Sequence, residues 1–189
     1  MKIYVLIYDE YAHFEADLVG WLKGRSDEIV TVSLGQDDVK SAEGFIMKPH
    51  VKIDQVDVNE IDVMIVPGGN APSILGNEKL QHLLQQLNDQ NKIIGAICYG
   101  PLLLADAGIL KDKEFTTSVT SDLELFDAFN RDKFVNEGVV VDGNIVTAKG
   151  EDYVDFALTI CRMASISNEN ALGYWANFFR SKKEMVRQG

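Results

Sequence analysis

The stretch 92-KIIGAICYGPLLLADAG-108 carries a short apolar run into a cysteine and turns at once into a helical pattern. Lys92 to Ile97 is short, β-branched and closed by small residues, as suits a strand buried on both faces of a parallel sheet. Gly100 and Pro101 then supply a tight turn and a proline at a helix start, and Leu102, Leu103, Leu104 and Ala105 begin an apolar helix. Cys98 therefore sits on a strand–turn–helix elbow outside the carboxyl end of a sheet, where open α/β folds place their ligands. Unpaired amides and the positive helix end favour an anion there, so the sequence predicts a reactive thiol more acidic than a free cysteine, whose pKa is about 8.5. The competing interpretation is an ordinary βα junction in which Cys98 is a small core hydrophobe.

Working outward, Ile3 to Tyr8 predicts a first strand, and Phe14, Leu18, Val19 and Leu22 recur at helical spacing up to Gly24, placing Glu15 in that helix's first turn. Ile29 to Leu34 and Asp62 to Val66 predict further strands, with a short edge strand over Phe45 to Val51 around Pro49. Pro67-Gly68-Gly69 ends the strand next to the elbow and permits a close backbone approach, so its amides are candidates to face the thiol and to form an oxyanion hole with the amide of Tyr99. A helix over Glu78 to Asn91 leads into the elbow strand. Beyond it, Glu114 to Ser118 predicts a strand, and Ser121 with Glu124 a capping box ahead of Leu123, Leu125, Phe126 and Phe129. Val139 to Val141 and Ile145 to Ala148 flank Asp142-Gly143, a hairpin signal. Gly150 opens a helix with a Tyr153, Ala157, Ile160, Cys161, Ala164 stripe, and a last helix carries Leu172, Trp175, Phe178 and Phe179 before a charged tail. This alternation predicts a flavodoxin-like, doubly wound, mostly parallel sheet with helices on both faces and an attached hairpin.

Composition agrees with one globular domain over residues 1–189: 46% of residues are apolar, 25% are charged and four are proline. Acidic residues outnumber basic ones 29 to 18, giving a net charge of −11, which disfavours nucleic acid and anionic membrane surfaces as partners. The opening MKIYVLIYDEY holds too short an apolar run for a secretion signal or a membrane span, so a cytoplasmic location is expected. With two cysteines far apart, free thiols are expected rather than a disulfide. No Cys/His spacing suggests a metal, and no Walker or GxGxxG pattern suggests a nucleotide cofactor, so neither is expected.

The segment Asp62 to Gly108, with VPGGNAPSILGNEKL followed by KIIGAICYGPLLLADAGIL, resembles the PfpI and Parkinson-disease-protein superfamily of the class I glutamine amidotransferase-like fold. FEADL with Glu15, the TTS segment after the elbow helix, and TAKGEDYVDFAL at Thr147 to Leu158 fall in the family's order. The resemblance implies Cys98 as nucleophile, Glu15 as a carboxylic acid hydrogen-bonded to it, the Gly69 and Tyr99 amides as oxyanion hole, and a homodimer. His13, Asn70 and Ser118 fall near the site by the same order. A carboxyl buried beside a thiolate has its pKa raised, so Glu15 is expected to keep its proton at neutral pH and donate it to the sulfur. Three departures bear on activity. PfpI-type proteases have a histidine directly after the cysteine, where this chain has Tyr99; Parkinson-protein-like members have one after the elbow helix, where this chain has Ser118. Amidotransferases need a downstream His-x-Glu, and no histidine follows His82.

Three functions are consistent with these residues. The first is a glyoxalase or deglycase in which the Cys98 thiolate adds to a small reactive aldehyde or acyl carbon while Glu15 moves the proton. The second is an intracellular cysteine protease or amidase, weakened by the missing histidine. The third is a non-enzymatic stress sensor or chaperone in which an oxidant reversibly converts Cys98 to a sulfenic or sulfinic acid. The partner is accordingly a small electrophile or oxidant. Of the remaining candidates, His50 and His82 are expected at the surface and Cys161 in the core.

Overall fold

A computed structural model describes residues 1–180. The first strand, β1 (Lys2–Ile7), is almost wholly buried and lies in the interior of a seven-stranded sheet. It is followed by α1 (Phe14–Leu22) and β2 (Glu28–Ser33), which pairs parallel to it from Lys2↔Glu28 to Ile7↔Ser33. The expected edge strand divides at Pro49. β3 (Val39–Lys40) and β4 (Ile46–Met47) form a small antiparallel ribbon, and β5 (Val51–Lys52) joins the main sheet beside β2. Proline has no N–H to donate to a ladder, which explains the break.

β6 (Val63–Val66) and β7 (Ile93–Ile97) are separated by α2 (Glu78–Asp89), whose start is capped by the Asn77 side chain accepting from Leu80 N–H at 3.0 Å. After the elbow come α3 (Gly100–Asp106) and a single turn, α4 (Leu123–Phe126). The hairpin is β8 (Val139–Asp142) and β9 (Ile145–Ala148), and the chain continues into α5 (Tyr153–Met163) and α6 (Glu169–Arg180). The strand order is β5-β2-β1-β6-β7-β9-β8, with only β8 antiparallel to its neighbour. That is the doubly wound, flavodoxin-like arrangement expected from the sequence.

α1 and α5 pack together on one face of the sheet, and α2 and α3 on the other. Gly95 decides the first packing. A Cβ there would lie 2.6 Å from Ile160 and 2.9 Å from the Phe156 ring, so the missing side chain lets α5 sit directly on β7. Ala157, Ile160 and Cys161 of the predicted stripe are buried, Tyr153 and Ala164 only partly, and Phe156, outside that stripe, is buried with them, each large buried member contributing about 1.5–3 kcal/mol.

Four local expectations are corrected. Residues 114–118 form no strand, because their polar groups are engaged elsewhere: Thr116 N–H on Thr147 Oγ1, Thr116 hydroxyl on Glu137 O, and Thr117 hydroxyl on Cys98 O. Asp122, not Ser121, caps the short α4, accepting from Leu125 N–H. The hairpin turn is Gly143-Asn144, with Asp142 paired to Ile145. Phe14 does not join the core stripe but is 47% exposed. In α6 Leu172 is buried while Tyr174 and Phe178 are exposed, and the charged tail lies outside the described residues.

Candidate active site

Cys98 follows the last residue of β7 with φ +61°, a left-handed backbone that side chains rarely adopt. Such a conformation costs about 1–3 kcal/mol and persists only where its surroundings hold it. Here they do. Cys98 N–H donates to Ala148 O at 2.9 Å, and its carbonyl accepts from Ser118 N–H at 3.0 Å and from the Thr117 hydroxyl at 2.8 Å. Two glycines then let the β6 loop press against the elbow. A Cβ on Gly68 would stand 2.7 Å from both Cys98 Cβ and Tyr99 N, and one on Gly100 would stand 2.2 Å from Val66 O.

The sulfur has three polar neighbours: the Glu15 carboxyl, the Ser118 hydroxyl and the Tyr99 N–H. Gly150 closes a further side, its Cβ position 3.2 Å from Sγ and 3.5 Å from Glu15 Oε1. Glu15 sits in the first turn of α1, as its spacing predicts, but points inward and is only 1% exposed. Its Oε2 accepts from Gly68 N–H at 2.6 Å. Behind the pair, Tyr8 donates to Gly68 O at 2.6 Å, and burial raises its pKa well above the ordinary phenol value.

Burial pushes the Glu15 carboxyl up to about 7, against the lowering effect of its hydrogen bonds with Gly68 N–H and Cys98. At neutral pH about half of it therefore keeps its proton. The Cys98 thiol goes the other way from the sequence expectation. Burial raises it, the charge and hydrogen bond of ionised Glu15 raise it further, and Ser118 and the Tyr99 N–H offset only part, leaving it at about 12. The seven-residue α3 does not outweigh desolvation. The two groups titrate as a pair: one proton leaves near pH 7 and the second is held far higher. The first charge lies on the Glu15 carboxylate, which accepts from the Gly68 N–H, beside a thiol that keeps its proton.

A stability consequence follows from the raised carboxyl. Below its unfolded value near 4.5 both states are protonated and nothing is lost; as pH climbs to about 7 the folded state increasingly forgoes an ionisation that the unfolded chain makes freely. The loss reaches about 3 kcal/mol. Glu15→Gln, which cannot ionise, is expected to gain melting temperature relative to the parent between about pH 5 and pH 8. A difference independent of pH would contradict the buried, proton-sharing carboxyl.

The other candidates are distributed differently. Gly69 lies beside the elbow with φ +92°, bridged to Tyr11 so tightly that a Cβ would meet Glu10 O at 2.2 Å. Asn70 turns its side-chain amide to Glu10 Oε2 at 2.7 Å. His13 uses both ring nitrogens elsewhere, Nδ1 with the Tyr11 hydroxyl at 2.7 Å and Nε2 with Asp17 at 3.1 Å. His50 and His82 are exposed. Cys161 is fully buried, and its thiol is pushed up to about 12 by that burial and, less, by the charge of Asp27. The sequence did not single out Thr117, or Gly150 as part of the site. The one available signal was the register of β9, where Ile97↔Ala148 sets Gly150 beside Cys98. Among the described residues no group of three or more His, Cys, Asp or Glu side chains is placed to hold a metal ion. No helix among them is long and apolar enough to cross a membrane.

Comparison with known proteins finds relatives of the chain as a whole. The chain is 29% identical over 151 residues to a deglycase of Thermococcus kodakarensis, covering 79% of this chain and 90% of that one. It is 26% identical over 199 residues to an uncharacterized protease of Bacillus subtilis, covering 96% and 92%. Among solved structures, a ThiJ/PfpI family protein from Bacillus anthracis superposes with a TM-score of 0.86 at 21% identity, covering 96% of this chain and 91% of that one. A DJ-1 superfamily protein from Agrobacterium tumefaciens gives 0.84 at 23%, covering 94% and 97%. The sequence model of the DJ-1/PfpI family matches residues 1–163, and the chain belongs to that family.

Proposed function

We propose that the protein is a cysteine-dependent enzyme of the deglycase or glyoxalase type, acting on small reactive aldehydes. The observation that carries this reading is the buried Glu15–Cys98 pair, which holds one exchangeable proton against a nucleophilic sulfur at a strained elbow. Deglycase relatives at about 29% identity support the same class.

In the addition step Sγ forms a bond to the aldehyde carbon, the carbonyl π pair moves to oxygen, and Glu15 supplies the proton that makes a hemithioacetal. The Gly69 and Tyr99 amides are the donors assigned to the developing oxyanion. For a 2-oxoaldehyde such as methylglyoxal, the Glu15 carboxylate then removes the former aldehyde C–H proton and returns it to the neighbouring carbon, giving a thioester. Water hydrolyses it to lactate and the free thiol, so the balance is aldehyde plus one water to hydroxy acid. Every step uses the same carboxyl alternately as acid and base, which a pKa near neutrality suits.

Peptide or amide hydrolysis asks for more, because an amine leaving group must be protonated. The polar groups on the sulfur include no histidine, and His13 is committed to Tyr11 and Asp17. The test is turnover of methylglyoxal, a peptide and glutamine by the parent and by Cys98→Ser. Lactate formation lost at least about a thousandfold in the variant, with the other two substrates untouched by either protein, is the expected result. Equal rates in parent and variant, or turnover confined to peptide, would overturn the reading.

A further inference from the structure

Gly68 is held at both of its backbone polar groups. Its N–H donates to Glu15 Oε2 at 2.6 Å, and its carbonyl accepts twice, from the Tyr8 hydroxyl at 2.6 Å and from Ala12 N–H at 3.1 Å. Tyr8 is completely buried, and its hydroxyl also lies 3.0 Å from Pro67 O. A phenol has one hydrogen to donate, so the two carbonyls share it, and the shorter bond goes to Gly68. Spent in this way, the hydroxyl gives no proton to a substrate. What it holds is the peptide group between Gly68 and Gly69.

That peptide is planar and trans, so fixing its carbonyl fixes the direction of the N–H at its other end, which belongs to Gly69. The bridge between Tyr11 and Gly69 says which way this N–H points. Gly68 O accepts from Ala12 N–H, and Asn70 N–H donates to Glu10 O, so both face the 10–12 segment. In such a pair the N–H of the residue between them faces away from that segment. The elbow packs against the same turn, with Cys98 Cβ and Tyr99 N each 2.7 Å from where a Gly68 Cβ would stand. Two donors on one carbonyl also polarise the amide and strengthen its N–H as a donor.

We propose that Tyr8 is a positioning residue for the oxyanion donor: through the Gly68 carbonyl it aims and polarises the Gly69 N–H toward the oxygen that becomes negative when the Cys98 sulfur adds to an aldehyde. This rests on the reading of Cys98 as nucleophile and of the Gly69 amide as oxyanion donor, and it adds the side chain that sets the amide's direction. Gly68 then joins two functions in one rigid unit, with the acid–base carboxyl on its N–H and the oxyanion donor beyond its carbonyl.

Tyr8→Phe removes the hydroxyl and keeps the ring. Its kcat for methylglyoxal is expected to fall about tenfold, less than the hundredfold to thousandfold that follows outright loss of an oxyanion donor. KM should stay within about twofold, because the donor acts on charge that exists only as the bond forms. Without substrate, the Gly69 amide nitrogen signal in the isotope-labelled protein should move upfield as the amide loses polarisation. Tyr11→Phe is the control: its hydroxyl is as deeply buried but bonds to His13 Nδ1 at 2.7 Å, so both readouts should stay in place.

A Gly69 signal or a kcat unchanged in Tyr8→Phe, the same changes in Tyr11→Phe, or a rise in KM as large as the fall in kcat would each overturn the proposal. If the parent turns over no aldehyde, the enzymatic reading fails, while the Gly69 signal still decides whether Tyr8 sets that amide.

Discussion

Glu15→Leu is expected to abolish most turnover, by about a thousandfold, while leaving the fold intact. The carboxyl is the ionisable side chain that acts on the sulfur, and a positioned general acid or base contributes about a hundredfold to ten-thousandfold. Leucine removes the proton donor and the acceptor of the 2.6 Å bond from Gly68 N–H together. Glu15→Gln separates the two roles. Its amide still donates to sulfur and its carbonyl still accepts from Gly68, but it exchanges no proton, so turnover should fall by about a hundredfold while much of the thiol's acidity survives. A kcat unchanged in the leucine variant, measured beside thiol titration, would remove Glu15 from the mechanism.

The second large effect is steric. Gly68→Ala puts a methyl group 2.7 Å from Cys98 Cβ and from Tyr99 N, atoms fixed by the elbow's own hydrogen bonds and unable to retreat. The cost is about 3 kcal/mol, or about 6–12 °C in melting temperature for a chain of this size, and the displaced Cys98 should lose activity in the same variant. Gly150→Ala is the control. Its Cβ approaches the sulfur at 3.2 Å, a gap that a shift of a few tenths of an ångström relieves, so stability should change by no more than about 1 kcal/mol. Similar losses in both variants would show that backbone conformation, rather than crowding at the elbow, governs this loop.

These positions also show which parts of the molecule the sequence expresses. The elbow was legible because local chemistry writes it: a β-branched strand, a cysteine, then Gly100-Pro101 at the helix start. The doubly wound, mostly parallel sheet followed from alternating strand and helix patterns. Glu15 was placed in the right turn by spacing, yet hydropathy assigned the buried stripe to Phe14 and not to Glu15. What buries Glu15 is a contact with Gly68 N–H, 53 residues away, and periodicity carries no record of that. Residues 114–118 failed as a strand for a similar reason, since Thr116 and Thr117 look like ladder residues but bond to Thr147, Glu137 and Cys98. The thiol's acidity was misjudged because the helix start is visible in sequence and the depth of burial is not.

The account's central claim is that Cys98 is the reacting sulfur and that the Glu15 pair controls it. Competition of Cys98 and Cys161 for limiting iodoacetamide in the native protein, resolved by peptide mass spectrometry from about pH 5 to about pH 9, tests it most directly. Label should appear at Cys98 alone, rising as the Glu15 carboxyl ionises near pH 7 and becomes able to take the thiol's proton, while Cys161, fully buried, stays unmodified until the chain unfolds. Slow and equal labelling of both cysteines across that range would contradict the claim.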